Sequence, residues 1–418
     1  MIKASGAVNF LMVVGLPIYL FLLKIIDAVI RVSGLKMHHI PTFNSTIVKM
    51  ENKPTTAQRL LSLDFMRGLI MVLLALEGAE LFGSLERGTE GGWAEGLVRQ
   101  LSHHPWNGLH AWDLVQPAFM FMAGAAMAYS LERQRQQGMS WNQRFVKVLK
   151  RCGWLFFWGV LDYAVKKDGL FILLWDVLTQ LSFTTLLAFL FFYWSFRARI
   201  IACIGLLILT EVLYRFTHVP GFDQPFTDQH NFGNYVDWIL MHTINKGGWV
   251  AINCIPTAVH TIAGTMAGQL MMRQSEGKLK IQALLLWGGI CLLAGFGLDW
   301  AGITPIIKKI ATSSFTLASL GYCLWLLALC YWWIDIKGHR KGLKFFTIVG
   351  MNSIFIYLFF EIVGSRWFNG YVDAVVGGIL KMWGAADLFA AIASSLAIFA
   401  LEWGMCYFLY KKKIFFRV

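Results

Sequence analysis

Apolar runs dominate this chain and fix what it can fold into. Stretches near residues 8–32, 65–84, 113–131, 152–166, 169–195, 199–216, 249–272, 281–299, 312–335, 345–365 and 386–410 approach or exceed the length of helix needed to cross about 30 Å of hydrocarbon. Hydrocarbon offers no hydrogen-bond partners, so a crossing backbone must satisfy itself within a helix or a closed barrel, and runs of this length select the helix. Of the 418 residues 57% are hydrophobic and only 15% charged, too little polar surface for a soluble fold of that size. The expected fold is therefore all-α, a polytopic membrane bundle of about eleven transmembrane helices. The weakest of these runs are 152–166, which is short, and 8–32, which carries Lys24 and Asp27. The latter resembles a signal peptide, with Lys3 ahead of an apolar core, but no small-residue cleavage pattern follows it, so it reads as a retained span. Residues 1–58 then form an extra N-terminal span with a cytoplasmic linker, and 59–418 the main membrane domain.

The net charge of +13 raises the question of nucleic acid, but the cations are spread through short loops between apolar runs, which excludes a basic nucleic-acid module. Their distribution is topological instead. Assigning cations at span ends to the adjoining loop puts 23 Lys and Arg on one side of an eleven-span chain and 11 on the other. The positive-inside rule then places the N-terminus outside and the Lys411-Lys412-Lys413 tail in the cytoplasm. The seven cysteines lie in or beside apolar runs without CxxC spacing or a Cys/His cluster, so neither a disulfide framework nor a metal site is expected. The sequence also has no internal repeat, Walker loop, GxSxG, HExxH or strand-borne Rossmann glycine pattern.

Ionisable groups inside spans cost at least about 2.5–3.5 kcal/mol each on insertion scales, so each needs a reason. Asp64 and Arg67 lie near the cytoplasmic end of the second span, and Glu77 lies ten residues further on, about 15 Å toward the outside. Asp113, Asp176, Gln180, Asn253, His260 and Thr312 to Ser314 gather toward the same outer half. Asn352 and Ser353 lie toward the inner end of the tenth span and Glu361 toward its outer end. The sharpest local motif is His103-His104-Pro105-Trp106-Asn107-Gly108, followed by Trp112-Asp113-Leu114-Val115-Gln116-Pro117. An imidazole can accept a proton from an attacking amine or hydroxyl while a carboxylate fixes its tautomer. The same residues also fit an interfacial loop histidine and a helix N-cap. Asp64 and Arg67, three residues apart, fit an intrahelical ion pair as well as an anion contact. His260 alone fits a hydrogen-bonded core residue, and the aromatic residues of 217–248 fit either a packed loop or a sugar-stacking surface.

RLLSLDFMRG at 59–68 together with HHPWNGLHAWDLVQPAFMFMAG at 103–124 resembles the core of the transmembrane N-acetyltransferase family typified by heparan-α-glucosaminide N-acetyltransferase, in a bacterial-type form without a large external domain. DIKG at 335–338, GMNSIFIY at 350–357 and the tail YKKKIFFRV at 410–418 follow in family order, with a weaker match in PTAVHTIAGTMAG at 256–268. The resemblance implies acetyl-CoA as donor, a glucosamine-type amine across the membrane as acceptor, His103 as the catalytic histidine and Asp113 as its aspartate. Three departures leave the acceptor open: Gly78 stands for a family Asn, Ala311-Thr312 for Trp-Ser, and Phe360 for a His ahead of Glu361.

The expected function is thus transmembrane acetyl transfer in a bacterial inner membrane, with lipid, CoA and an amino sugar as partners and a homodimer as a further expectation. His103 and Asp113 are the candidate catalytic pair. Asp64, Arg67, Asn352 and Ser353 are candidates for the CoA side, and Glu77, Trp106, Asn107, Asn253 and Glu361 for the acceptor side. The basic stretch 144–151 could also meet the CoA phosphates, and Asn352 or Asn253 could polarise the thioester carbonyl. Direct transfer and an acetyl-His intermediate both remain open. The rivals are an amino-sugar transporter and an O-acyltransferase of an envelope polysaccharide. Transport is disfavoured because neither a repeat nor matched Gly/Pro interruptions are visible in the runs.

Overall fold

A computed structural model describes residues 60–166 and 169–416 of the chain. The expected first span at 8–32 and the linker up to Arg59 lie outside the described residues. Among the described residues helix accounts for almost all regular structure, and the one ladder is an antiparallel pair of two-residue strands, Val165–Lys166 and Gly169–Leu170.

The main helices in chain order are α1 (Leu61–Gly78), α2 (Leu81–Thr89), α3 (Val115–Gln136), α4 (Trp141–Ala164), α5 (Val177–Phe191), α6 (Phe196–Phe216), α7 (Phe232–Met241), α8 (Cys254–Met272) and α9 (Gly277–Trp300). They continue with α10 (Ser313–Cys330), α11 (Leu343–Met351), α12 (Ser353–Leu358), α13 (Asn369–Met382) and α14 (Asp387–Lys411). Each apolar run within the described residues overlaps one of them. Among the described residues four helices are long and apolar enough to cross a bilayer unaided: Ala111–Gln136, Gly277–Trp300, Ser313–Ile336 and Asp387–Lys411. The number rises to six when α1 with α2, and α11 with Ser353–Met382, are each counted as one bent span. The remaining helices fall short for visible reasons. Arg144, Lys147, Lys150 and Arg151 occupy the first half of α4, Arg197, Arg199, Glu211 and Arg215 occupy α6, and α5 has only 15 residues.

Side chains set the helix starts. Asp176 Oδ1 accepts from the Leu178 amide at 2.7 Å, Ser195 Oγ from Ala198 at 3.2 Å, and Thr312 Oγ1 from Phe315 at 3.4 Å, each satisfying an orphan first-turn donor. Asp335 of the DIKG motif acts at long range in the same way. Its two oxygens accept from the amides of Leu61 at 3.2 Å and Ser62 at 3.1 Å, capping α1.

α3, α8 and α10 form the middle of the bundle, whereas most of α9 and α14 faces outward. Close approach of α3 to α8 rests on two glycines. A Cβ at Gly124 would overlap the Thr261 carbonyl, and one at Gly264 would overlap the Phe121 carbonyl. Small residues at such a contact let backbones pack tightly where lipid supplies no hydrophobic drive between helices. Gly68 gives α1 the same intimacy with α11 at the Phe346 carbonyl.

Two bends correct the reading of uninterrupted spans. The α1–α2 pair turns by 65° and the α11–Ser353 pair by 75°. At the first, Glu80 takes a left-handed conformation (φ 62°). At the second, Asn352 leaves helical geometry (φ −120°, ψ 39°), its Oδ1 accepting from the Phe416 amide at 2.9 Å and its Nδ2 donating to the Ile414 carbonyl at 3.3 Å. The Asn352 side chain thus pairs with backbone groups of the C-terminal tail, while its own amide and carbonyl stay bonded to Val349 O and Ile356 N. Neither device requires Gly or Pro at the break, which is why hydropathy gave no sign of it.

Candidate active site

Asp113 organises the loop that precedes α3. It lies at the end of a short 3-10 turn, Ala111–Leu114, and is fully buried. Its Oδ2 accepts from the amide of His110 at 2.9 Å and of His104 at 3.3 Å, which folds residues 103–110 back over it. Its Oδ1 lies 3.1 Å from His103 Nδ1. Asp113 is therefore not the helix N-cap that its position suggested: His110 is the N-cap of this turn and Asp113 its third residue, with one oxygen closing the capping box and the other beside the imidazole.

A second loop, between α9 and α10, brings in a residue that the sequence did not single out. Lys308 Nζ is 2.9 Å from His103 Nδ1 and 3.4 Å from Asp113 Oδ1, with only 6% of its side chain exposed. The loop is stiffly held. Gly108 N donates to the Ile306 carbonyl at 2.8 Å, Ile306 N to Asp299 Oδ1 at 2.9 Å, and the Thr312 and Ser314 hydroxyls both to the Pro305 carbonyl at 2.7 Å. Ala311 turns the chain with a left-handed φ of 50°. The Trp249 ring stands edge-on to His103 with centroids 5.7 Å apart and carries the Lys308 ammonium 5.3 Å above its face.

Electrostatics follow from this packing. Burial pushes the His103 imidazolium down from its ordinary value. The hydrogen bond to Asp113 opposes that shift, and the neighbouring Lys308 charge reinforces it. Burial likewise lowers the Lys308 ammonium to about 8, although the carboxylates of Asp113 and Glu77 pull the other way.

His103 and Lys308 open onto a cavity of about 390 Å³. Glu77, Glu80, Asp162, Asp176 and Glu361 contribute carboxyl groups to its wall, and Trp112, Trp175, Trp249, Tyr163, Tyr357 and Phe360 contribute rings. Trp112 Nε1 donates to Glu77 Oε1 at 3.0 Å, Tyr357 OH to Asp176 Oδ2 at 2.7 Å, and Gln116 Nε2 to Gln180 Oε1 at 2.7 Å. Behind Trp175, whose indole donates to Asp237 Oδ2 at 2.7 Å, burial raises the Asp237 carboxyl to about 7. Five carboxyl residues against one lysine make a wall suited to a cation, and aromatic faces beside hydrogen-bonding edges suit a sugar. Among the described residues none engages His103 Nε2, so that nitrogen is the one available to a ligand in the cavity.

Of the residues proposed from sequence, His103, Asp113, Glu77 and Glu361 are brought together here. The others lie elsewhere. Trp106 donates to the Phe226 carbonyl at 2.7 Å and packs with Phe226 and Phe232 against Tyr214, so these rings of the 217–248 loop are packing contacts, whereas Trp238 stays half exposed. Asn107 is exposed, and Asn253 supports the lysine loop from below by donating to the Lys309 carbonyl at 3.4 Å. Asp64 and Arg67 pair at 3.1 Å two turns of α1 beyond Leu74, the cavity residue nearest that end of the helix. Both side-chain amide atoms of Asn352 are used by the tail, and Ser353 opens α12 outside the cavity lining. His260 is a core residue bonded to Ser319 Oγ at 2.8 Å.

No family model matches the chain. Heparan-alpha-glucosaminide N-acetyltransferase of Mus musculus is similar to it, with 24% identity over 437 aligned positions that cover 88% of this chain. The chain spans 62% of the length of that relative. This relative is the protein that typifies the family the motifs resemble.

Proposed function

We propose that this protein transfers an acetyl group from acetyl-CoA to the amine of a glucosamine-type sugar, with the cavity beside His103 as the place of transfer. The observation that carries this reading is an imidazole whose Nδ1 is held at a buried carboxylate and whose residue lines an acidic, aromatic cavity.

The chemistry is acyl exchange. The acceptor nitrogen attacks the thioester carbonyl, an N–C bond forms, the C–S bond breaks and CoA leaves as its thiolate. The proton lost by the amine passes to His103 Nε2 and from there to the departing sulfur. Asp113 stabilises the imidazolium formed in between. The carboxylates of Glu77 and Glu361 attract the ammonium form of the acceptor into the cavity and take up the proton it must lose before its nitrogen can attack, and the Trp112 and Trp249 rings line the space for a pyranose. The CoA phosphates meet Arg67 and the basic stretch 144–151 at the opposite end of α1. A pantetheine arm of roughly 15–20 Å matches the rise along α1 from Arg67 to Glu77, about 15 Å. In this arrangement the chain crosses a bacterial inner membrane about eleven times with its C-terminus in the cytoplasm, donor and acceptor approaching from opposite faces.

One structural feature favours a second reading. Both bent helix pairs border the cavity, through Gly78, Glu80, Tyr357 and Glu361, and broken spans around a midplane site are also how secondary transporters hold substrates. Proteoliposomes separate the two. Label passing from acetyl-CoA on one face to glucosamine on the other, with no uptake of free sugar, supports the transferase. Sugar uptake without acetyl-CoA supports the transporter.

A further inference from the structure

The imidazole Nδ1 of His103 has a single in-plane position, holding either a proton or a lone pair, yet two partners lie within reach of it. Asp113 Oδ1 at 3.1 Å can only accept, and the Lys308 ammonium at 2.9 Å can only donate. Both cannot be satisfied at once. When Nδ1 carries the proton, it donates to Asp113, and Nε2 presents a lone pair to the cavity. When Nδ1 carries the lone pair, it accepts from Lys308, and Nε2 holds the proton and is useless as a base. Lys308 lies closer to Nδ1 than to Asp113, by 2.9 against 3.4 Å, so the charged lysine draws the ring toward the second, idle form.

We infer that Lys308 is a positioning residue that sets the tautomer of His103, holding the imidazole idle while charged and releasing it to Asp113 when it loses its proton or is drawn away. The catalytic consequence rests on the acyl transfer proposed above, whereas the tautomer itself does not. The charged groups facing this lysine are Asp113, Glu77, Lys309 and, when protonated, His103, and the face of Trp249 covers it. Burial among them brings its titration into a range near neutrality, which makes release by proton loss accessible. A cationic acceptor entering the cavity would act in the same direction by repelling the ammonium.

The test is ¹⁵N NMR of the full-length protein in detergent with labelled histidine, the His103 signals identified by difference from His103→Gln. In wild type the Nδ1–H form should be the minor one near pH 7 and gain roughly tenfold by about pH 9, following a lysine that titrates at about 8. Lys308→Met should show mainly Nδ1–H throughout that range, and Lys308→Arg, charged at all these pH values, mainly Nε2–H. The wild-type titration needs neither lysine variant, so it decides the matter even if both lysine substitutions fail to fold. A tautomer ratio that is constant with pH in wild type, or equal in Lys308→Met and Lys308→Arg, overturns the proposal. In parallel, the transfer rate of wild type should rise with pH in two steps and that of Lys308→Met in one. A moving tautomer in a protein that acetylates no amine would refute the transferase reading alone, and transfer with a fixed tautomer would refute this proposal alone.

Discussion

Asp113→Asn separates structural from chemical roles in one substitution of nearly equal shape. In the native protein the carboxylate accepts from two amides and faces both His103 Nδ1 and the Lys308 ammonium, with 1% of its side chain exposed. The amide keeps one acceptor oxygen for the His110 and His104 amides, but it turns an NH₂ toward the lysine and imidazole and removes the charge that balances Lys308. Breaking a buried pair by removing one partner costs about 3–5 kcal/mol. With an unfolding entropy near 2.1 cal/mol/K per residue, the 418-residue chain has about 0.9 kcal/mol/K in total, so that loss corresponds to a melting shift of roughly 3–6 °C downward. The rate of acetyl transfer should fall further, by about 10²–10⁴, because the amide favours the Nε2–H tautomer and cannot stabilise an imidazolium. Thermal unfolding by tryptophan fluorescence and initial rates on the same detergent preparation read both quantities. A variant that melts within a degree of wild type and retains transfer within threefold would refute the view that this carboxylate holds the site together.

Further substitutions probe other parts of the account. Gly124→Val should destabilise the bundle, with loss of folded yield in detergent, since its side chain must displace the Thr261 carbonyl and with it α8. Tyr357→Phe removes the hydroxyl that donates to Asp176 Oδ2 at 2.7 Å and should cost about 1.5–3 kcal/mol, measured by thermal unfolding. In the cavity, transfer should rise with pH through the lowered imidazole titration, with a midpoint below the ordinary histidine value of 6.5, because only neutral His103 is a base. Asp237 provides a stability test of definite sign. Its carboxyl is raised from 3.8 to about 7, so the folded state binds more protons in that window, and this group's contribution to stability must fall as pH rises from about 4 to about 7. Relative to Asp237→Asn, wild type should therefore lose melting temperature across that range, and a gain would contradict the burial argument.

How much of this was legible in the sequence depends on whether a residue acts locally or through distant contacts. The HHPWNG and WDLVQP runs revealed His103 and Asp113 because both lie in one loop-to-helix segment, and the cost of charge inside a span pointed to Glu77 and Glu361. Lys308 was invisible for the opposite reason. A lysine in a short link between two apolar runs reads as a topological charge, and only the fold of 301–312 against 103–110 buries it beside the imidazole. Asn352 misled in a related way. A buried amide fits a ligand contact, yet here it satisfies backbone groups of the returning tail, a pairing 64 residues apart. The bends escaped notice because a left-handed Glu80 and an interrupted ladder at Asn352 leave hydropathy unchanged. The DIKG motif, read only as a family mark, has a local purpose in capping α1 through Asp335.

The claim on which the account depends is that the His103 imidazole accepts the proton of the attacking amine. Single-turnover transfer from labelled acetyl-CoA to glucosamine, compared between wild type and His103→Ala at matched acetyl-CoA occupancy, tests it most directly. The account predicts that donor binding is retained while the transfer rate drops by about 10²–10⁴, the usual worth of a general base. Transfer at close to the wild-type rate in the alanine variant would contradict it.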